Sequence, residues 1–323
     1  MMFKISVAMA VYNGEKYIEK QLISILNQTR LPDEVIICDD CSKDKTVDIV
    51  KNFIDRHSLS NWKLYINKRN VGFSRNFYDS IKKTTGDIIF LCDQDDVWHE
   101  DKIKKMEKIF VANKKIKALV SSFNLINENG MGINIKLSNK KSNNNIIKYK
   151  VKSKLEKVSK DTIFLYNISP GCTMAFTKDI KDIYLKNTDC NCIHDWEISM
   201  VAALFDGLYY LDLPLMDYRI HSNNAVGLGG ILENSGRKKA LNREYREKNA
   251  ERVYMYLSAF KKCYNRYIQD LKIDRHIKFT KERLRALKSR NLFRVLCLYR
   301  YFNSYKKSVT FKGRMADIIC ILK

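Results

Sequence analysis

An apolar run, Ile88-Ile89-Phe90-Leu91-Cys92, leads directly into Asp93-Gln94-Asp95-Asp96. A core cannot solvate carboxylates, so at the end of a buried strand these acids must meet water, a partner or a cation. Oxygen ligands in a tight turn suit Mg2+ or Mn2+, which keep several waters and bridge substrate phosphates. The competing reading is a helix N-cap ahead of Val97-Trp98, where an aspartate satisfies orphan amides and favours the dipole. One aspartate serves for that. Three within four residues exceed it.

Asp39-Asp40-Cys41-Ser42-Lys43-Asp44 presents a second cluster, and Tyr12-Asn13 a third. Ser42 and Asp44 read as caps of the following helix, whereas Asp40 could accept the ring N–H of a pyrimidine base. Neither a GxGxxG nor a Walker sequence occurs, so a diphosphate would be neutralised by the metal and by basic side chains such as Arg75. Asp195 opens a helix after the polar stretch Asn187–Asn191, either as a general base facing a cleft or as a helix cap. His194 orients an acceptor or lies at the surface. Arg219 and His221, two apart on a strand, point to one side and look built for anionic oxygen, although a lone strand histidine is often structural. Trp98 and Trp196 flank the acids and stack on sugar or pack in the core.

These groups need a frame. Phe3, Ile5, Val7 and Met9 alternate with smaller residues and predict a strand ending near Ala10. A helix carrying Ile18, Leu22, Ile25 and Leu26 follows and stops before Pro32. Glu34 to Cys38, Leu64 to Ile66 and Ile88 to Cys92 read as strands, separated by helices carrying Val47, Val50 and Ile54, then Phe77 and Ile81. Such alternation predicts a doubly wound α/β sheet over the first 120 residues. The three polar clusters fall at strand carboxyl ends, where ligands gather in such sheets. Residues 127–160, rich in Asn, Lys and Ser, read as a long surface excursion, either an acceptor-side loop or a tolerated insertion. Order returns at Pro170–Phe176, followed by a helix at Asp195–Phe205 and strands at Leu208–Leu211 and Leu215–Ile220.

The 323 residues carry a net charge of +23, unevenly distributed. Residues 231–323 hold 25 basic and 8 acidic side chains, a net +17, leaving +6 for residues 1–230. Two regions follow: an α/β domain over 1–230 and a basic helical appendage over 231–323. With 45% hydrophobic residues, global disorder is excluded. Nine cysteines, mostly within apolar runs, read as reduced core thiols; Cys190-x-Cys192 lacks the second pair of a zinc site. No run of about 18 apolar residues exists and the N-terminus reads as a strand, so a cytoplasmic location is expected. The tail segment Asn291–Phe302 joins apolar and cationic character, as a membrane-surface helix does. A solvated helix packed on the catalytic domain remains the alternative, and no recognition motif supports nucleic acid.

The segments AVYNGEKYIEKQLISILNQT, CDDCSKDKT, DQDDVW, HDWEISM and YRIHSNNAVG occur in that order across roughly residues 3–227. Together they resemble family-2 glycosyltransferases with the GT-A fold, a Rossmann-like mixed sheet flanked by helices. DQDDVW with YRIHSNN is more like the bacterial rhamnosyltransferase-type members. The resemblance implies inversion at the anomeric carbon, a dTDP- or UDP-sugar donor, a glycan or lipid-linked acceptor, and Mg2+ or Mn2+. Carried over by position, Ala10, Tyr12, Asn13 and Asp40 would hold the nucleoside, and Arg75 would lie near base or phosphate. Asp93 and Gln94 would face the ribose, Asp95 and His221 would bind the metal, Arg219 would contact anionic oxygen, and Asp195 would be the base. Two departures stand out: Ala8-Met9-Ala10 lacks the usual nearby Pro or Thr, and residue 194 is His where many members carry Glu. Neither removes a required charge. A lipid-linked acceptor would fit an anionic membrane surface at the inner face of the cell membrane. The rival readings are a nucleotidyltransferase on the same sheet plan and a non-catalytic basic scaffold.

Overall fold

Alternating strand and helix signals in the first 112 residues become β1 (Ile5–Val11), α1 (Ile18–Leu26), β2 (Glu34–Asp39), α2 (Thr46–Arg56), β3 (Trp62–Ile66), α3 (Phe73–Lys83), β4 (Ile88–Cys92), β5 (Val97–Trp98) and α4 (Lys102–Ala112) in a computed structural model of the protein. The structure describes residues 2–133, 153–189, 191–221, 242–269 and 272–322. Cys190, most of the 127–160 excursion, the end of the YRIHSNNAVG segment and the start of the basic tail lie outside them.

β3, β2, β1 and β4 pair in parallel in that order, with Ala10 opposite Cys38 and Met9 opposite Cys92. Every residue of β2 and β4 is buried, as expected of strands covered on both faces. Beyond β4 the sheet turns mixed. β8 (Met174–Thr177) pairs antiparallel with β4 and with β6 (Ala118–Ile126), and β6 runs parallel to β9 (Leu208–Arg219). β5 and β7 (Leu155–Lys157) pair antiparallel with β9 and complete nine strands. α6 (Lys178–Asn187) and α7 (His194–Leu204) lie between β8 and β9, and the short α5 (Lys160–Ile163) precedes β8.

Two expectations are corrected. The separate strands at 208–211 and 215–220 are one strand: Ser121 faces Leu211 but Ser122 faces Pro214, so the irregularity lies in the ladder. Pro214 cannot donate to that ladder, which reads in sequence as a break. Part of the 127–160 excursion is also sheet, because β7 falls within it.

The chain forms two compact units, Met1–Val158 with Ile168–His221, and Ser159–Asn167 with Ser222–Lys323. In the second, α8 (Arg243–Tyr264), α9 (Lys272–Lys288), α10 (Leu292–Cys297), α11 (Phe302–Ser308) and α12 (Phe311–Leu322) are joined by short segments. Its core unites Leu165 with Phe279, Val295, Leu298 and Tyr305. The fully buried Asp317 accepts from Arg246, Arg283 and the Tyr305 hydroxyl. Among the described residues no helix is long and apolar enough to cross a membrane.

Candidate active site

The carboxyl ends of β1, β2 and β4 are stitched together by side chains that bond main chain. Tyr12 N donates to Gln94 Oε1 at 2.7 Å, and Gln94 Nε2 donates to Tyr12 O at 2.9 Å. Asn13, in the left-handed region with φ 48°, donates its N–H to Ser42 Oγ and accepts from Lys43 N. Gly14 N donates to Thr46 Oγ1. Asp44, expected as a cap, accepts from Glu15 N, Thr46 N and the Thr46 hydroxyl. The half-buried Ala10 and the exposed Tyr12 edge this floor.

Asp40 is 2% exposed; its Oδ1 accepts from Asn67 Nδ2 and Val71 N, and its Oδ2 from Gly72 N. It therefore fixes the entry to α3, and Oδ2 keeps a second lone pair for a donor such as a base N–H. Arg75 sits half-exposed on α3, paired with Asp79 at 3.1 Å and stacked on Tyr78. That engages it with neighbours on its own helix.

The acids after β4 divide by direction. Asp96 is 1% exposed, and its Oδ1 accepts from Arg219 N at 3.0 Å. Asp95 Oδ2 lies 2.7 Å from His221 Nε2, with the side chains 14% and 9% exposed. Burial, then the charges of Asp95 and Asp195, push Asp93 up to about 7. Burial, then Asp95 and Asp93, push Asp96 well above the usual carboxylate range. This mutual repulsion is what a divalent cation would relieve.

Among the described residues, ligand atoms of Asp93, Asp96 and Cys172 form a group within 4.8 Å. Asp96 and Cys172 face the core, however, and burial holds the Cys172 thiol in its protonated form, a poor ligand for a hard cation. Asp95 and His221, 2.7 Å apart, pair an oxygen with an imidazole donor, ligand types that suit Mg2+ or Mn2+.

Arg219, expected on a substrate anion, is buried. At 1% exposed, its guanidinium donates to the carbonyls of Asp95, Asn127 and Glu128 and stacks on Tyr17. It braces the acid turn from behind. Lys102 is a site residue that sequence reasoning missed. Fully buried, it donates to Cys172 O at 2.6 Å and lies 3.9 Å from the Trp98 ring, and burial draws it down to about 8 against the pull of Asp96 and Asp93. The one available signal was Trp98 four residues earlier in a charged stretch.

Asp195 lies in the first turn of α7, 6% exposed, with Oδ1 accepting from Trp196 N. It is not the N-cap, which is Ile193. A Cβ built on Gly171 would lie 3.6 Å from Asp195 Oδ2 and 3.1 Å from His194 Nε2, so both atoms border that glycine. Asp195 also raises the proton affinity of Asp93, so a carboxylate on α7 lies within electrostatic reach of the acid turn after β4.

Comparison with known proteins gives the family. Residues 6–180 match the Glycosyl transferase family 2 profile. The chain is 32% identical over 231 residues to the dTDP-rhamnosyl transferase RfbG of Shigella flexneri, covering 68% of this chain and 73% of that protein. The crystal structure of S. aureus TarS 1-349 in complex with UDP-GlcNAc superposes with a TM-score of 0.55 at 19% identity, covering 97% of this chain and 90% of that one. The mannosyltransferase PcManGT from Pyrobaculum calidifontis, in complex with GDP-Man and Mn2+, gives 0.55 at 14% identity, covering 97% and 78%. With its mixed sheet, its acid turn and a profile match over more than half of its length, the chain belongs to glycosyl transferase family 2 and carries the GT-A fold.

Proposed function

We propose that the protein is an inverting, metal-dependent glycosyltransferase that moves a sugar from a dTDP- or UDP-activated donor to a hydroxyl of a glycan or lipid-linked acceptor. Rhamnose is the sugar favoured by the likeness to a dTDP-rhamnosyl transferase. The observation that carries the reading is Asp195, a buried carboxylate within electrostatic reach of Asp93 on an independent element.

Asp195 accepts the proton of the attacking acceptor hydroxyl. Carboxylates alone repel a diphosphate; Asp95 and His221 would hold Mg2+ or Mn2+ beside Asp93, and the ion would supply charge neutralisation for the departing nucleoside diphosphate. Ala10, Tyr12, Asn13 and Asp40 line the nucleoside, with Asp40 Oδ2 receiving the base N–H. Gln94 and Arg219 keep the strand ends and the acid turn in register, and Arg75 steers the anionic donor from the rim of α3. Incubation with dTDP-rhamnose, UDP-sugars and Mn2+, read by 31P NMR, tests the reaction class. Nucleoside diphosphate is the expected product. Inorganic pyrophosphate, released in a parallel incubation with a nucleoside triphosphate and a sugar 1-phosphate, would identify a nucleotidyltransferase, and no turnover in either incubation would leave a binding scaffold.

The helical unit fits peripheral attachment to an anionic membrane at the inner face of the cell membrane. A groove of about 790 Å³ is lined by Lys281, Arg285, Lys288 and Arg294, and Phe293 and Leu296 of the same unit are exposed. Such a surface combines electrostatic attraction, about 1 kcal/mol per basic residue near the bilayer, with shallow apolar insertion. Sedimentation with anionic and neutral vesicles across a salt series checks this. Charge reversal at Arg294 and Arg300 should weaken anionic binding, and equal negligible binding to both vesicle types would reject it.

A further inference from the structure

His194 is 5% exposed, and neither ring nitrogen has a hydrogen-bond partner. Whichever tautomer it adopts, one buried donor and one buried acceptor stand unmatched, an arrangement that native interiors rarely keep without a reason. The ring is held firmly: it stacks on Phe77 with centroids 4.0 Å apart and planes 22° apart, and meets Phe73 edge-on at 6.3 Å. Apolar packing alone would be served as well by a phenylalanine.

The position of Nε2 says what the nitrogens are for. Nε2 and Asp195 Oδ2 border the same residue, Gly171, where a side chain would come to 3.1 Å from Nε2 and cover both atoms. The burial that holds His194 neutral, down to about 3, makes it a poor partner for phosphate and a good one for a hydroxyl, which both donates and accepts. On the function proposed above, Asp95 and His221 serve the leaving group and Asp195 the acceptor.

We propose that His194 binds a second hydroxyl of the acceptor sugar, adjacent to the one that Asp195 deprotonates, and thereby selects acceptors bearing hydroxyls on neighbouring ring carbons. This rests on the reading of Asp195 as the base. Two groups from one helix turn then fix the acceptor ring at two points, which sets the attacking oxygen and excludes acceptors lacking the neighbour. A site built to bond a hydroxyl rejects analogues without it by a large factor, because its own buried groups are left unpaired.

The test uses the full chain with Mn2+ and nucleoside diphosphate (UDP or dTDP), and a panel of methyl glucoside, galactoside, mannoside and rhamnoside with their monodeoxy analogues. Saturation-transfer NMR reads glycoside binding, and calorimetry reads nucleotide affinity. His194→Phe keeps the stack on Phe77 and removes both nitrogens; His194→Asn restores one donor and one acceptor. Wild type should bind at least one glycoside and lose it about 10-fold or more when one particular hydroxyl is deleted. His194→Phe should weaken the full glycoside by a similar factor and be indifferent to the deletion, with nucleotide affinity kept, and His194→Asn should recover part of the preference. The same response in wild type and His194→Phe, a blank in both included, overturns the proposal. Absent nucleotide binding by wild type would instead refute the glycosyltransferase reading, and this proposal with it.

Discussion

Gln94 and Tyr12 hold each other by a reciprocal pair of bonds that joins the ends of β4 and β1 across the site. The amide of Gln94, expected to face ribose, is committed to main chain, and Gly14 packs so close that a Cβ there would lie 2.6 Å from its Cδ. Gly14→Ala should therefore act through Gln94, pushing it from Tyr12. Both Gly14→Ala and Gln94→Ala are expected to weaken nucleotide binding about 10-fold, as loss of a positioning contact does. Calorimetry checks this, and their effects should not add, because both break one contact.

Arg219→Met should destabilise the catalytic unit by about 2 kcal/mol, since it removes the guanidinium's part-buried bonds to three carbonyls. Urea unfolding measures it. Were Arg219 a substrate contact, stability would hold while nucleotide affinity alone fell.

His194 gives stability a pH signature. Its folded value, about 3, lies below the ordinary 6.5, so the unfolded chain takes up a proton that the folded chain refuses. The contribution is complete above pH 6.5 and declines as pH falls toward 3. His194→Phe should lower the pH slope of stability in that window by up to about one proton. Denaturant titrations between pH 4 and 7 read it, and identical slopes would mean that the ring is solvated.

Much of this frame was legible. Strands such as Ile88–Cys92 are short, wholly apolar and followed by charge, so both the buried strand and the polar cluster at its end show in sequence. Ala118–Ile126 does not: Ser121, Ser122 and Asn124 interrupt its pattern, although Ser121 is buried and bonds Thr173 O. Lys102 looks like any lysine of a charged helix until the fold covers it. Arg219 shows the reverse, since a cation beside a histidine reads as an anion contact, and only the distant carbonyls of Asn127 and Glu128 reveal its use. Leu165 joins the core of the helical unit, a pairing distant in sequence that no local period encodes.

Asp95→Ala should abolish donor turnover and its stimulation by Mn2+ while leaving the fold intact, because its side chain, 14% exposed, meets His221 and is less enclosed than that of Asp96. Circular dichroism and a chelator titration check both halves. Full turnover by wild type in excess chelator would remove the metal from the account.

The central claim is that Asp195 performs the proton transfer and does not bind the donor. Asp195→Asn keeps the side chain's size and its Oδ1 acceptor for Trp196 N, but cannot take a proton. The deciding measurement is turnover at saturating donor alongside donor affinity for this variant and wild type. The account predicts affinity within about twofold and turnover reduced by about 100-fold or more, the loss expected of a missing general base. Unchanged turnover with collapsed affinity would contradict it.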